Sequence, residues 1–242
     1  METIIYLYLC FVALIAGLIQ GFSGFGSVLF SLPVLALFLD IKIAIPLMSL
    51  SGVVLTVYLL FSLWNHLEWR KILPLLVGTV FGVPVGVLLL KHLKASYLLI
   101  TLGVMLMAYS FYGLVIKPHR KTMKKYWAYL FGFLAGCLGG AFSASGPPVI
   151  VYTSLQPWNK DQIKVTLQGY FFASGIIVIF FQAFSGLMTD MVLKYFLISL
   201  APLMIGTYVG HFFYGRIQEE TYRTFMLILL GVLGVFTLWK AI

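Results

Sequence analysis

Acidic side chains are scarce in this chain: seven Asp and Glu stand against 16 Lys and Arg in 242 residues. Charged residues of both signs make up only 10% of the sequence, where a soluble domain carries about a quarter. That is too little charge to cover a water-facing surface, which excludes an ordinary soluble globular fold. Cysteine is almost missing too. Cys10 and Cys137 lie far apart within apolar runs, with no CxxC spacing and no histidine cluster beside them. This excludes a disulfide framework and a thiolate metal centre, and both read as small apolar side chains. No cofactor motif is found, so none is expected.

What the chain has in abundance is apolar surface, at 62% of residues and a mean hydropathy of +1.04. Ten stretches carry no Lys, Arg, Asp or Glu: about 4–21, 25–39, 43–64, 72–90, 96–116, 126–142, 146–156, 165–184, 195–213 and 224–239. A membrane span needs about 20 residues. Two stretches, Phe25–Leu39 and Gly146–Gln156, fall short and read as half-helices or re-entrant pieces. The first segment lacks a basic leader and a small-residue cleavage site, and reads as a retained span. The net charge of +9 then belongs to the bilayer rather than to nucleic acid, because the cations sit between apolar runs, where they orient helices. Trp64, Trp69, Trp127 and Trp158 lie near segment ends and read as interfacial anchors.

The short stretches hold matching places in two halves. Gly21-Phe-Ser-Gly-Phe-Gly26, followed by a run to Leu39 and Asp40, answers Gly139-Gly-Ala-Phe-Ser-Ala-Ser-Gly-Pro-Pro148, followed by Trp158 to Asp161. Later, Gly82-Val-Pro-Val-Gly86 answers Gly206-Thr-Tyr-Val-Gly210, and Ser96-Tyr97 answers Thr221-Tyr222. If each short piece returns the chain to the side it came from, one face holds Arg70, Lys71, Lys117, Arg120, Lys121, Lys124, Lys125, Lys160, Lys164, Arg216 and Arg223, which is 11 of the 16 cations. The positive-inside rule favours that arrangement. The expected fold is therefore an all-α polytopic membrane protein of two inverted repeats, residues 1–116 and 126–242. Each repeat has a broken or re-entrant helix pair followed by three spans. A basic linker, 117–125, faces the cytoplasm from the inner (plasma) membrane, with both termini outside.

These residues carry a family resemblance. GFSGFGSVLFSLPVL from Gly21, with Ala44 and Ser49 after it, and the second copy GAFSASGPPVIVY from Gly140 make the chain similar to the TauE/SafE (TSUP) family of sulfite and organosulfonate permeases, along essentially its whole length. The resemblance implies transport of small sulfur oxyanions or short organic acids, in a direction that varies between members.

A broken helix exposes backbone groups that lipid cannot satisfy, so such breaks persist only where they face protein, water or a ligand. Gly21, Gly24 and Gly26 permit close approach and unusual dihedrals, with Phe25 between them, while Ser23 and Ser27 offer hydroxyls. In the second copy Ser143 and Ser145 precede Gly146-Pro147-Pro148, and proline suits a first helical turn. Free N–H groups and the positive dipole end at two helix starts would favour an anion, and an inverted pair would converge near the midplane. Gln168, within a long apolar run, lines this pathway or bonds a neighbouring helix. Gly82, Gly86, Gly206 and Gly210 read as packing glycines. Gln20, Asn159 and Gln162, at segment ends, read as solvated or capping.

All seven acids fall at segment ends or turns, which leaves no mid-membrane carboxylate for a proton or sodium relay. His66, His92, His119 and His211 are the remaining groups titrating near neutrality. The function read from these features is a transporter, and more specifically an exporter, of a small anion that works by alternating access. A passive anion channel is the alternative. An intramembrane serine hydrolase built on Ser23 and His211 is disfavoured, because a second copy of the motif suits a symmetric binding site and not a lone nucleophile. The bilayer and the anion are the expected partners, and exposed glycine and aromatic faces would permit a homodimer.

Overall fold

The computed structural model describes residues 2–61, 67–115, 123–212 and 219–241, without the side chains of Glu2, Ser23, Phe61, Lys160, Asp161 and 219–223. Within these every regular element is an α-helix. The elements are α1 (Glu2–Ser23), α2 (Ser27–Leu35), α3 (Ile41–Phe61), α4 (Trp69–His92), α5 (Ala95–Val115), α6 (Trp127–Phe142), α7 (Gly146–Ser154), α8 (Lys160–Phe184), α9 (Asp190–Phe212) and α10 (Glu219–Ala241). Seven of them are long and apolar enough to cross a membrane, while α2 and α7 have nine residues each, roughly 13 Å of helix. The two short stretches are therefore half-helices, as their length requires. Large apolar side chains such as Phe81, Phe111, Phe180, Leu197, Phe225 and Trp239 stand exposed along the spans, as lipid contact demands.

Several helices run past the apolar stretches that announce them. Charge-free sequence marks the hydrocarbon, whereas a helix continues into the interface until a cap stops it. α8 begins five residues before the apolar run, capped by Asn159, whose side chain accepts from the Gln162 N–H at 2.8 Å while Gln162 Oε1 accepts from the Asn159 N–H at 3.2 Å. The capping role of this pair is thus met.

The chain forms two compact units, and each takes helices from both halves of the sequence. One comprises Met1–Ser51, Leu93–Lys117 and Thr189–Ile242; the other comprises Gly52–His92 and Pro118–Met188. In the first, α1 packs along α9 in parallel. Methyl groups at Gly17 and Gly21 would lie 2.2 Å from the Leu203 and Thr207 carbonyl oxygens, and one at Gly206 would lie 2.1 Å from that of Leu14. In the second, α4 packs along α6 in the same manner. Methyls at Gly78 and Gly82 would lie 2.1 Å from the Tyr129 and Phe133 oxygens, and one at Gly132 would lie 2.0 Å from that of Leu75. Only the second hydrogen of glycine fits in such a seam, where it points at a carbonyl oxygen of the facing backbone. The packing role read for Gly82, Gly86, Gly206 and Gly210 holds. Each seam joins the first helix of one half to the fourth helix of the other.

A buried polar knot fixes the second unit. Thr79 Oγ1 lies 2.9 Å from the Leu75 carbonyl, 3.1 Å from the Gly132 carbonyl and 2.7 Å from the Tyr170 hydroxyl. The two hydroxyls share one hydrogen bond, in which either oxygen can be the donor. Tyr170 is fully buried among Ile72, Leu75, Val149 and Leu167. Tyr170→Phe is expected to cost about 1 kcal/mol of stability, and a double-mutant cycle with Thr79→Val should return a coupling of similar size. Additive losses in thermal unfolding would show that the two hydroxyls act separately.

Candidate functional site

Each half-helix folds back beside the helix that precedes it. In the first unit Ser27, at the start of α2, bonds Gln20 near the end of α1, while the Tyr8 hydroxyl, early in α1, donates to the Val34 carbonyl late in α2. Tyr8 also stacks edge-on with Phe38 at 4.7 Å. In the second unit Ser145 lies beside Gly139, and Tyr152, late in α7, meets Phe131, early in α6, at 5.8 Å. Both pairs are re-entrant hairpins whose tips are the Gly and Ser breaks.

The tips share a backbone device. At the first, Gly24 (φ 79°) ends α1 and Gly26 (φ 92°) starts α2, both left-handed. At the second, Ser143 takes the left-handed conformation at φ 55°, the one non-glycine residue with positive φ among those described. Its N–H reaches the Gly139 carbonyl at 2.8 Å, so α6 closes on a left-handed residue as many helices do. A side-chain lock holds the first tip. Gln20 Nε2 donates to the Gly24 carbonyl at 3.1 Å, and Gln20 Oε1 accepts from the Ser27 hydroxyl at 2.7 Å, with both side chains buried. Gln20 was legible only as a polar residue at a segment end. Its burial follows from the fold-back, which encloses the end of α1 instead of exposing it.

The predicted site residues divide by role. Gly24, Phe25, Gly26 and Ser27 form the first tip, and Ser143, Ser145, Gly146, Pro147 and Pro148 the second. Gly21 lies within α1 facing the α9 backbone, in the packing seam. The Ser23 side chain lies outside the described residues. Gln168 is buried on α8, one turn from Phe171, whose ring approaches Gly146. At α2 the first-turn N–H groups all remain, because Pro33 comes late in the helix. At α7 Pro147 and Pro148 remove two of the three first-turn donors, which leaves the Gly146 N–H. As for depth, Gly21 is level with His211 at the end of α9, so the first tip lies toward one end of a 22-residue helix rather than half-way along it.

At the opposite end of the first hairpin, the Lys240 ammonium donates to the Ala36 carbonyl and, at 2.9 Å, to the Leu37 carbonyl. It satisfies the negative end of α2. In the second unit Arg70, Lys71, Lys124, Lys125 and Lys164 gather where α4, α6 and α8 begin, with the Lys71 ammonium 5.1 Å from the Trp158 ring centre and bonded to Glu68 at 2.7 Å. Cations at helix N-termini oppose the macrodipole, so helix stability does not account for them. The described acids Asp40, Glu68 and Asp190 stand at turns or a helix start. No group of three or more metal-ligating side chains occurs among the described residues.

Half-helices folded back beside helices of membrane-spanning length define a polytopic membrane protein. The sequence profile described as "Sulfite exporter TauE/SafE" matches residues 9–237, and the chain belongs to that family. It is a transporter and not an enzyme. One curated relative, from Cupriavidus necator, is named a probable sulfite/organosulfonate exporter TauE; it is 27% identical over 174 residues, which span 69% of this chain and 68% of the relative. No solved structure matches the chain.

Proposed function

We propose that the chain exports a small anion such as sulfite, an organosulfonate or a related short organic acid, using the helix starts at its two re-entrant tips. The observation that carries this reading is the doubled break: two half-helices in a member of an exporter family, each opening on small residues with N–H groups that no side chain caps. Such an end favours negative charge by about half a unit charge, with no buried Lys or Arg needed. The name of the Cupriavidus necator relative supports the substrate class.

In this reading residues 1–116 and 126–242 are inverted repeats, and the tips take turns facing the two sides of the inner membrane by alternating access. The inversion is supported by the matching breaks in the two halves and by the charge count, which puts 11 of the 16 cations on one face when each short piece returns the chain to the side it came from. The linker 117–125 is cytoplasmic on the positive-inside rule, and the cations gathered where α4, α6 and α8 begin support that side; residues 116–122 lie outside the described residues.

With no described carboxylate inside a span, export needs no cation relay, because an anion leaving a negative-inside cell gains about 2.3 kcal/mol per charge per 100 mV. Efflux of sulfite or a short sulfonate from proteoliposomes is expected to saturate with concentration and to accelerate when a potassium diffusion potential makes the lumen negative. Flux that demanded a proton or sodium gradient and ignored the potential would overturn the uncoupled mechanism, and flux without saturation would favour a channel. In a thermal-unfolding panel, a cognate anion at 100 times its Kd should add about 2.7 kcal/mol.

A further inference from the structure

Gln182 is fully buried near the end of α8, and neither atom of its amide has a hydrogen-bond partner. Its position follows from the register of the second unit. Val178 approaches Gly139, with 3.4 Å between its Cγ2 and a methyl placed there, and packs against Val83 and Val87 of α4. α4 runs parallel to α6, with Gly82 opposite Phe133 and Gly86 opposite Cys137. It also runs parallel to α8, with Thr79 on Tyr170 and Val83 and Val87 on Val178. So α6 and α8 rise together, and four residues beyond the Gly139–Val178 contact Gln182 stands level with Ser143, at the tip where α7 begins. An amide left unpaired in apolar surroundings costs several kcal/mol, and a transporter keeps such a group where a ligand completes it.

We propose that Gln182 is a specificity-determining residue of the anion path, whose amide contacts the transported solute at the α6–α7 tip. The inference rests on the proposed function and deepens it. Backbone N–H groups only donate, whereas a glutamine amide donates through Nε2 and accepts through Oε1. Nε2 suits an anionic oxygen. Oε1 repels a bare oxyanion oxygen and needs a hydrogen, so the favoured solute carries an O–H or N–H donor beside its anionic group.

Ethanesulfonate and 2-hydroxyethanesulfonate differ in one such donor and make the test. Purified protein should bind the hydroxylated compound roughly tenfold tighter, equivalent to about 1.4 kcal/mol, read from the ligand dependence of thermal unfolding. Gln182→Met keeps shape and removes both polar atoms. It should unfold, without ligand, at the wild-type temperature or above, and should bind both sulfonates alike. Gln182→Leu is the second variant should methionine impair folding. If both variants are less stable than wild type without ligand, the amide serves a structural partner and the proposal is overturned. Equal discrimination by wild type and variant, or none by wild type, overturns it too. A wild type that responds to neither sulfonate, nor to sulfite, refutes the export reading instead.

Discussion

Gly82→Leu is expected to abolish accumulation of folded protein, and Gly82→Ala to lower its stability by about 3 kcal/mol, the upper part of the range for overpacking. The reason is what the new methyl meets: the Phe133 carbonyl oxygen at 2.1 Å and the Cys137 nitrogen at 2.9 Å. A neighbouring side chain could rotate away, but these are backbone atoms inside a hydrogen-bonded helix, so α4 and α6 must part. Parting them also weakens the contacts at Gly78, Gly86, Gly132 and Gly136 along the same seam. Gly21→Ala should behave alike in the α1–α9 seam, where the methyl would meet the Thr207 oxygen at 2.2 Å. Gly146→Ala is the control. Its methyl would come no closer than 3.6 Å to the Ile150 side chain, and the change should stay within about half a kcal/mol. Thermal unfolding in detergent measures all three, and a Gly82→Ala protein that unfolded with wild type would show that the seam is looser than described.

Those seams mark the limit of what could be read from the chain. Hydropathy located every helix, because lipid makes apolar length obligatory, and the two nine-residue pieces followed from being too short to span. The breaks were legible too, since Gly24, Gly26 and Pro147 have few uses inside an apolar run. Partner choice was not. Gly82 and Gly206 announce that something approaches closely, but a glycine does not say which helix comes. The answer, first helix of one half to fourth helix of the other, exchanges elements between halves, and no local pattern encodes an exchange between helices so far apart in the sequence. Polar residues at segment ends were ambiguous for a related reason. Asn159 and Gln20 look alike in the sequence, yet Asn159 caps a helix at an exposed turn and Gln20 is enclosed by a fold-back. Which fate applies depends on whether the next segment leaves or returns.

Gln20→Leu is expected to reduce anion flux by tenfold or more while leaving a folded protein. Two hydrogen bonds are lost at once: the one from Nε2 to the Gly24 carbonyl at 3.1 Å and the one from the Ser27 hydroxyl to Oε1 at 2.7 Å. Each buried group left unmade costs about 1–3 kcal/mol, partly recovered where the chain finds other partners. The cost falls on the tip, since the α1–α9 seam at Gly17 and Gly21 is untouched. Gly24 and Gly26 hold their left-handed dihedrals with no side chain to restrict them, and the Gln20 bridge ties Gly24 to Ser27 across the turn. A tip freed of it samples other conformations, and the start of α2 no longer presents its N–H groups in one direction. A loss of 1.4 kcal/mol in the transporting conformation already means a tenfold slower rate. Ser27→Ala removes one bond and keeps the other, and should fall between Gln20→Leu and wild type. Amide hydrogen exchange across residues 24–29 gives a second readout, with faster exchange expected in Gln20→Leu and unchanged exchange in α9. Wild-type flux from Gln20→Leu would mean that the first tip holds its shape by backbone alone, and that the lock has no part in transport.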